Sequence, residues 1–275
     1  MSPLPRLEPL DRTAARLRGR IIEVSGRAQV PHLGSCLSCT DLLAVLYGRV
    51  LRIDPANPTD PARDRFILSK GHAAPALFQV LAACGFFPEA WLDGYGEDGS
   101  RFGEHPPAHG VPGVEAATGS LGHGLPMGVG MAMGARLKGL DTRTFVLLSD
   151  GECNEGSVWE AALMGAAQKL ERLTVLIDFN KWQATGRSEE VLALQPLADK
   201  WRAFGWETEE LDGHDLDALT AALTRDRSGA GRPLALVAHT VKGKGVSFME
   251  DDNNWHYRMP TPDETRAAHR ELGLL

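Results

Sequence analysis

Thr144-Phe145-Val146-Leu147-Leu148-Ser149-Asp150-Gly151-Glu152 and, downstream, Leu173-Thr174-Val175-Leu176-Ile177-Asp178-Phe179-Asn180 decide how this chain is read. Each is a short, largely apolar run closing on polar residues, the pattern of a strand buried on both faces. Residues 159–170 between them have helical character, so the whole is a β-α-β unit. Strands joined in this way run parallel, and their carboxyl ends open onto one crevice, where open α/β sheets bind ligands. An acid oxygen (Asp150) and an amide oxygen (Asn180) at neighbouring strand tips are hard donors. They suit Mg²⁺, which takes one or two protein ligands and fills its other positions with phosphate oxygens and water. The expectation is a magnesium-bridged diphosphate.

The alternation extends in both directions. Residues 10–25 carry apolar side chains at helical spacing with arginines opposite, residues 30–37 read as a loop around His32, and 38–50 as a helix capped by Ser38 or Thr40. A proline-broken stretch precedes a short strand at 65–68, a loop 69–72 with His72, and a helix at 75–84. Residues 88–114, rich in Gly, Pro and His, read as a long functional loop. Residues 119–124 open a small-residue helix to Leu137, expected to be buried all round. Helices at 196–204 and 216–223 and strands at 206–211 and 234–239 follow. The fold class is therefore α/β, a mostly parallel sheet with helices on both faces. Residues 1–275 read as one domain, with a C-terminal arm from about Val246.

Composition bounds the function. With 275 residues, 43% hydrophobic and 24% charged, the chain can bury a full core. A net charge of −7 excludes a general nucleic-acid binder, which needs a basic surplus. No apolar run reaches the roughly 20 residues of a membrane span, and the N-terminus lacks the apolar core of a secretory signal, so cytoplasm is expected. Cys36 and Cys39 form a C-x-x-C without a second pair at zinc spacing, and are read as packing residues.

Several motifs then combine: Thr118-Gly119-Ser120-Leu121-Gly122-His123-Gly124, Asp150-Gly151-Glu152 with Glu155-Gly156, Asp178-Phe179-Asn180-Lys181-Trp182, and loop histidines His32, His72, His105 and His256. Together, and in this order from about residue 10 to 260, they resemble the diphosphate-binding half of a transketolase. The resemblance implies the thiamine diphosphate-binding fold, with thiamine diphosphate and Mg²⁺ as cofactors. Asp150, Asn180 and the backbone carbonyl of Trp182 would be the metal ligands. Gly119, Leu121, Gly151, Glu155, Asn180, His72 and His256 would contact the cofactor or support its site, Glu155 by meeting its counterpart across paired subunits. His32, His72, His105 and His256 would line the substrate channel and shuttle protons on sugar hydroxyls, as imidazole can near neutral pH. His109 competes with His105 for that place. Lys242 and Lys244 are candidate phosphate contacts, or simply a solvated turn.

The chain departs from the family pattern at Ser149, where Gly is usual, at Pro31 before His32, and at His123 in place of Gln. In transketolases the glutamate that activates the cofactor lies on a second, pyrimidine-binding domain, and no such domain follows here. The expected function is thus the N-terminal subunit of a split transketolase. It would move a two-carbon ketol unit from a ketose or ketose phosphate to an aldose with a separate C-terminal subunit, in an α₂β₂ assembly. The alternatives are the α-type chain of a 2-oxo acid dehydrogenase, a related ketol-transferring synthase and a non-catalytic scaffold. A nicotinamide enzyme is excluded, since no G-x-G-x-x-G follows the first strand.

Overall fold

The computed structural model describes Leu7 and residues 9–275. Its centre is a five-stranded sheet of β1 (Arg65–Leu68), β2 (Thr144–Ser149), β3 (Leu173–Phe179), β4 (Glu207–Asp212) and β5 (Leu234–His239). The spatial order is β1-β2-β3-β5-β4, and every adjacent pair is parallel. The helices are α1 (Leu10–Ala28), α2 (Leu33–Ser38), α3 (Thr40–Val45), α4 (Ala74–Cys84), α5 (Gly124–Leu137), α6 (Gly156–Ala167), α7 (Ser188–Val191), α8 (Leu197–Ala203), α9 (Leu216–Thr224) and α10 (Pro262–Glu271).

Strand alternation divides the core. Phe145, Leu147, Leu176 and Leu236 face one way, onto residues of α1 to α4, α9 and α10. Val146, Leu148, Val175 and Ile177 face the other, onto α5, α6 and α8. A sheet covered on both faces needs apolar residues at every position, which is why β2 and β3 are buried throughout. The edge strand β4 is half-exposed and carries Glu207, Glu209 and Glu210, charges that blunt a sheet edge against further pairing.

The sequence expectations fail in four places. Residues 33–38 form α2 rather than a loop; the segment is buried on every side, so no amphipathic period marks it. Neither Ser38 nor Thr40 caps α3: the Ser38 hydroxyl donates to Asp178, and the Thr40 hydroxyl to the Cys36 carbonyl. Helix α5 is not buried all round. It packs on β2 and α6 along one side, while Gly130 and Leu137 are exposed. Finally, α10 was not foreseen, although Thr261-Pro262-Asp263-Glu264 carries its start signal. Thr261 accepts from the Glu264 amide while Glu264 accepts from the Thr261 amide, a reciprocal capping box. Thr261→Ala is expected to cost about 1 kcal/mol, read as a lower urea midpoint at unchanged slope; an unmoved midpoint would deny the cap any role in stability.

Candidate active site at the carboxyl ends of the strands

Ser149 lies opposite Asp178 in the β2–β3 register, so Asp150 and Asn180 leave the sheet at adjacent tips. Asp150 is fully buried. Its Oδ2 accepts from the Lys181 amide at 2.9 Å and the Ser188 hydroxyl at 2.7 Å. Its Oδ1 has no partner. Burial pushes this carboxyl from its ordinary 3.8 up to about 7, against the opposing help of Ser188. The Asn180 Oδ1 accepts from the Trp182 amide at 3.0 Å and, being a carbonyl oxygen, keeps a second lone pair. Across from Gly151 stands Gln183, whose Cγ would lie 2.9 Å from a Cβ at that glycine. The Gln183 Nε2 is buried and also unpartnered.

A buried orphan acceptor and a buried orphan donor are each costly. A cation beside the first and an anionic oxygen beside the second would relieve both. The donors fit Mg²⁺ and a diphosphate: an acid, an amide and the Trp182 carbonyl supply hard oxygens. Among the described residues no cluster of three His, Cys, Asp or Glu gathers to hold a metal ion, so the all-side-chain cage typical of zinc is not formed.

Asp178 organises the ground beneath. It is fully buried, receives the Lys70 ammonium and the Thr240 hydroxyl, and accepts from Ser38 at 2.7 Å and Asn180 at 3.4 Å. Lys70, also fully buried, donates as well to the Ser35 carbonyl at 2.9 Å. Burial would discharge this lysine, but the Asp178 carboxylate outweighs it and holds the ammonium charged.

The imidazoles meet above this floor. The ring centre of His32 lies 5.4 Å from that of His72, 4.9 Å from His256 and 6.5 Å from His105. His32 adopts a left-handed backbone (φ 70°), and its amide donates to the His256 carbonyl at 2.7 Å, which brings the two rings together. Desolvation, aided by neighbouring cationic groups, lowers His32 to about 4 and His256 to about 3, and takes His72 well below its ordinary value. All three are neutral at pH 7. Lys242, fully buried, approaches the His256 Nδ1 at 3.2 Å and donates to Asn253 at 2.6 Å. Burial and then the Lys70 charge pull it down to about 8.

The other sequence candidates divide. His105 joins the cluster, whereas His109 is exposed. Gly119 (φ 147°) is required where it stands, because a Cβ there would come within 2.8 Å of the His105 ring. Leu121 is half-buried in the same turn. Glu155 is exposed at the start of α6 and makes no side-chain cap bond; the structure does not bring it to the imidazoles. Lys244 pairs with Glu250 at 3.4 Å, a solvated turn contact unlike buried Lys242. Cys36 and Cys39 are buried free thiols, and burial pushes both up, Cys39 to about 12, so neither is a reactive thiolate. Sequence reasoning passed over Lys70's charge partner, Ser188 and Gln183.

Residues 11–275 match the family described as transketolase, thiamine diphosphate binding domain. The chain belongs to the transketolase family. One relative, the first of the two subunits by which the apulose-4-phosphate transketolase of Phocaeicola vulgatus is named, is 41% identical over 267 residues, covering 97% of this chain and 95% of the relative. The 6-deoxy-6-sulfo-D-fructose transketolase subunit SqwG of a Clostridium species is 39% identical over 263 residues, covering 96% of each. Among solved structures, transketolase from Leishmania mexicana superposes with a TM-score of 0.90 at 27% identity. That match covers 96% of this chain but 41% of the other: two relatives named as transketolase subunits have its length, while the Leishmania chain is more than twice as long. As a member of the transketolase family the chain has the thiamine diphosphate-binding fold, and the expected mostly parallel sheet is parallel throughout.

Two pH effects of opposite sign follow. His32 and His256 have folded values below the unfolded 6.5. Their contribution to stability is therefore complete above about 6.5 and lost as pH falls toward about 4 and 3. Asp150 has a folded value above its unfolded one, so its burial costs nothing in acid and costs increasingly as pH rises through about 7. In thermal melts without cofactor, His256→Asn should flatten the acid limb, and Asp150→Asn should raise the midpoint at pH 8. Melts of both variants parallel to the parent across pH 4–8 would contradict these assignments.

Proposed function

We propose that this chain is the diphosphate-binding subunit of a two-chain, Mg²⁺- and thiamine diphosphate-dependent transketolase. It acts in the cytoplasm with a C-terminal subunit that supplies the pyrimidine-binding wall and the activating glutamate, in an α₂β₂ assembly. The observation that carries this reading is the unpartnered Oδ1 of buried Asp150 at the strand tip beside Asn180, under a cluster of neutral imidazoles.

Asp150, Asn180 and the Trp182 carbonyl would hold the metal, with Gln183 beside Gly151 donating to the diphosphate. Thiamine diphosphate, when bound, supplies the nucleophilic carbon and electron sink for the two-carbon unit. The residues of this chain bind and orient. A neutral imidazole offers one N–H and one lone pair, the match for sugar hydroxyls that both donate and accept. With folded values near 4 and 3, His32 and His256 do not hold a proton at pH 7. They pass one between a substrate hydroxyl and a neighbouring ring, and His72 and His105 extend that lining.

Helices α5 and α6 pack against each other and expose Leu137, Leu163 and Met164, apolar surface of the kind a partner subunit covers. The relatives named for a ketose phosphate and a sulfo-ketose favour ketol transfer over 2-oxo acid decarboxylation. They also suggest a ketose with an anionic end as donor.

The test is reconstitution. The chain mixed with a pyrimidine-domain subunit from the same source should transfer glycolaldehyde units from ketose to aldose with thiamine diphosphate and Mg²⁺, and lose at least about 100-fold in rate with Asp150→Ala, the scale seen when a group acting on the charged centre is removed. Transfer at full rate by the isolated chain would sink the two-subunit reading.

A further inference from the structure

Residues 181–188, just beyond β3, contain the Trp182 carbonyl, Gln183 and the Ser188 hydroxyl that grips Asp150. The loop is a tight hairpin: Trp182 bridges Arg187, the Gln183 amide donates to Gly186 at 2.9 Å, and the Ser188 amide to Lys181 at 3.0 Å. Its outer side is fastened to the C-terminal arm by a single carboxylate. The Asp251 Oδ1 accepts from the Trp182 indole N–H at 2.8 Å and from one Arg187 nitrogen at 2.6 Å, and its Oδ2 accepts from the other at 2.6 Å. The same guanidinium lies 3.8 Å over the Trp182 ring, so the indole is held by its edge and its face. Two-pronged Arg–carboxylate bonds fix orientation as well as distance.

Asp251 is itself held. It takes a left-handed backbone (φ 58°), a conformation few non-glycine residues adopt, and its amide donates to the Lys242 carbonyl at 2.8 Å. Asn253 adds a second tie, donating to the Ala184 carbonyl at 3.1 Å while accepting from Lys242. One carboxylate therefore joins the loop that would present metal ligands to the segment that carries Lys242 and His256.

We propose that Asp251 is a positioning residue. Through Trp182 and Arg187 it sets the loop that aims the Trp182 carbonyl at the metal and keeps Ser188 on Asp150. This rests on the functional reading above. Groups that hold metal ligands in place change metal affinity by about 10–100-fold when removed. The Asp251 side chain is 54% exposed, so replacing it leaves the core intact.

Two measurements separate the clasp from the function. In the cofactor-free full-length chain, Asp251→Asn should speed amide hydrogen exchange at Lys181, Gln183 and Ser188 at least tenfold, with exchange in β2 and β3 unchanged. In the reconstituted complex, the Mg²⁺ concentration for half-maximal thiamine diphosphate binding, followed by calorimetry, should rise tenfold or more. At saturating Mg²⁺ the variant should bind the cofactor as the parent does, and Arg187→Lys should fall between. Unchanged exchange in the loop overturns the proposal, as does faster exchange with an unaltered Mg²⁺ requirement. A parent complex that binds no Mg²⁺ and cofactor, with exchange still accelerated in the variant, removes the functional reading and, with it, the metal-aiming role of Asp251, leaving only a structural clasp.

Discussion

A charged carboxylate buried where water cannot reach it is tolerable only if it is fully compensated, and Asp178 meets that condition by drawing four segments to one point. Lys70 comes from the loop after β1, Ser38 from the end of α2, Asn180 from its own strand tip and Thr240 from the turn after β5. None of these groups has another reason to converge there. The ion pair thus acts less as a source of net stability than as a constraint on register. If Lys70 is withdrawn, Asp178 repels the Asp150 charge that stands nearby, and Asn180 loses the acceptor that orients its amide. The loops that carry His72, Asn180 and Lys242 are mutually placed by the same few bonds.

What could be read from sequence follows from what has a local signal. Strands β2, β3 and β5 are apolar runs with sharp polar ends, so their tips, and with them Asp150 and Asn180, were legible to the residue. Helix α2 was not, because six buried positions leave no polar face to set a period. Helix α10 was readable and was overlooked: its capping box is written in Thr261 and Glu264. The contacts that finish the site were illegible in principle. Ser188 reaches Asp150 across 38 positions and Asp251 reaches Trp182 across 69. Such pairs have neither period nor spacing, and depend on how loops close over a finished sheet. The clustering of His32, His72, His105 and His256 is of the same kind; only the family resemblance suggested it.

The Arg18–Asp41–His214 group extends the constraint outward. Arg18 of α1 and His214, in the turn after β4, meet the Asp41 carboxylate at 2.7 Å each. The His214 Nε2 then takes the Val241 amide at 2.9 Å, which places the proton on Nδ1, toward Asp41. Val241 precedes Lys242, so the helical layer on one face of the sheet is tied to the turn that supplies the lysine of the imidazole cluster.

The acids at the strand tips also bear on the division of labour between two chains. Glu152 is fully buried and engaged by the Ser69 hydroxyl and by the amides of Gly122 at 2.9 Å and Ser149 at 3.2 Å. Asp178 is neutralised by Lys70. Of these buried acids only Asp150 keeps an oxygen without a partner, and that oxygen lies at the metal position rather than among the imidazoles. A carboxylic acid that is to give its proton to a bound heterocycle must stand free of such partners and close to the ring. Among the buried acids at the described strand tips none meets that condition, so the proton donor has to enter from another wall. A pocket with its anion-anchoring floor complete and its acid missing is what half of a shared site looks like.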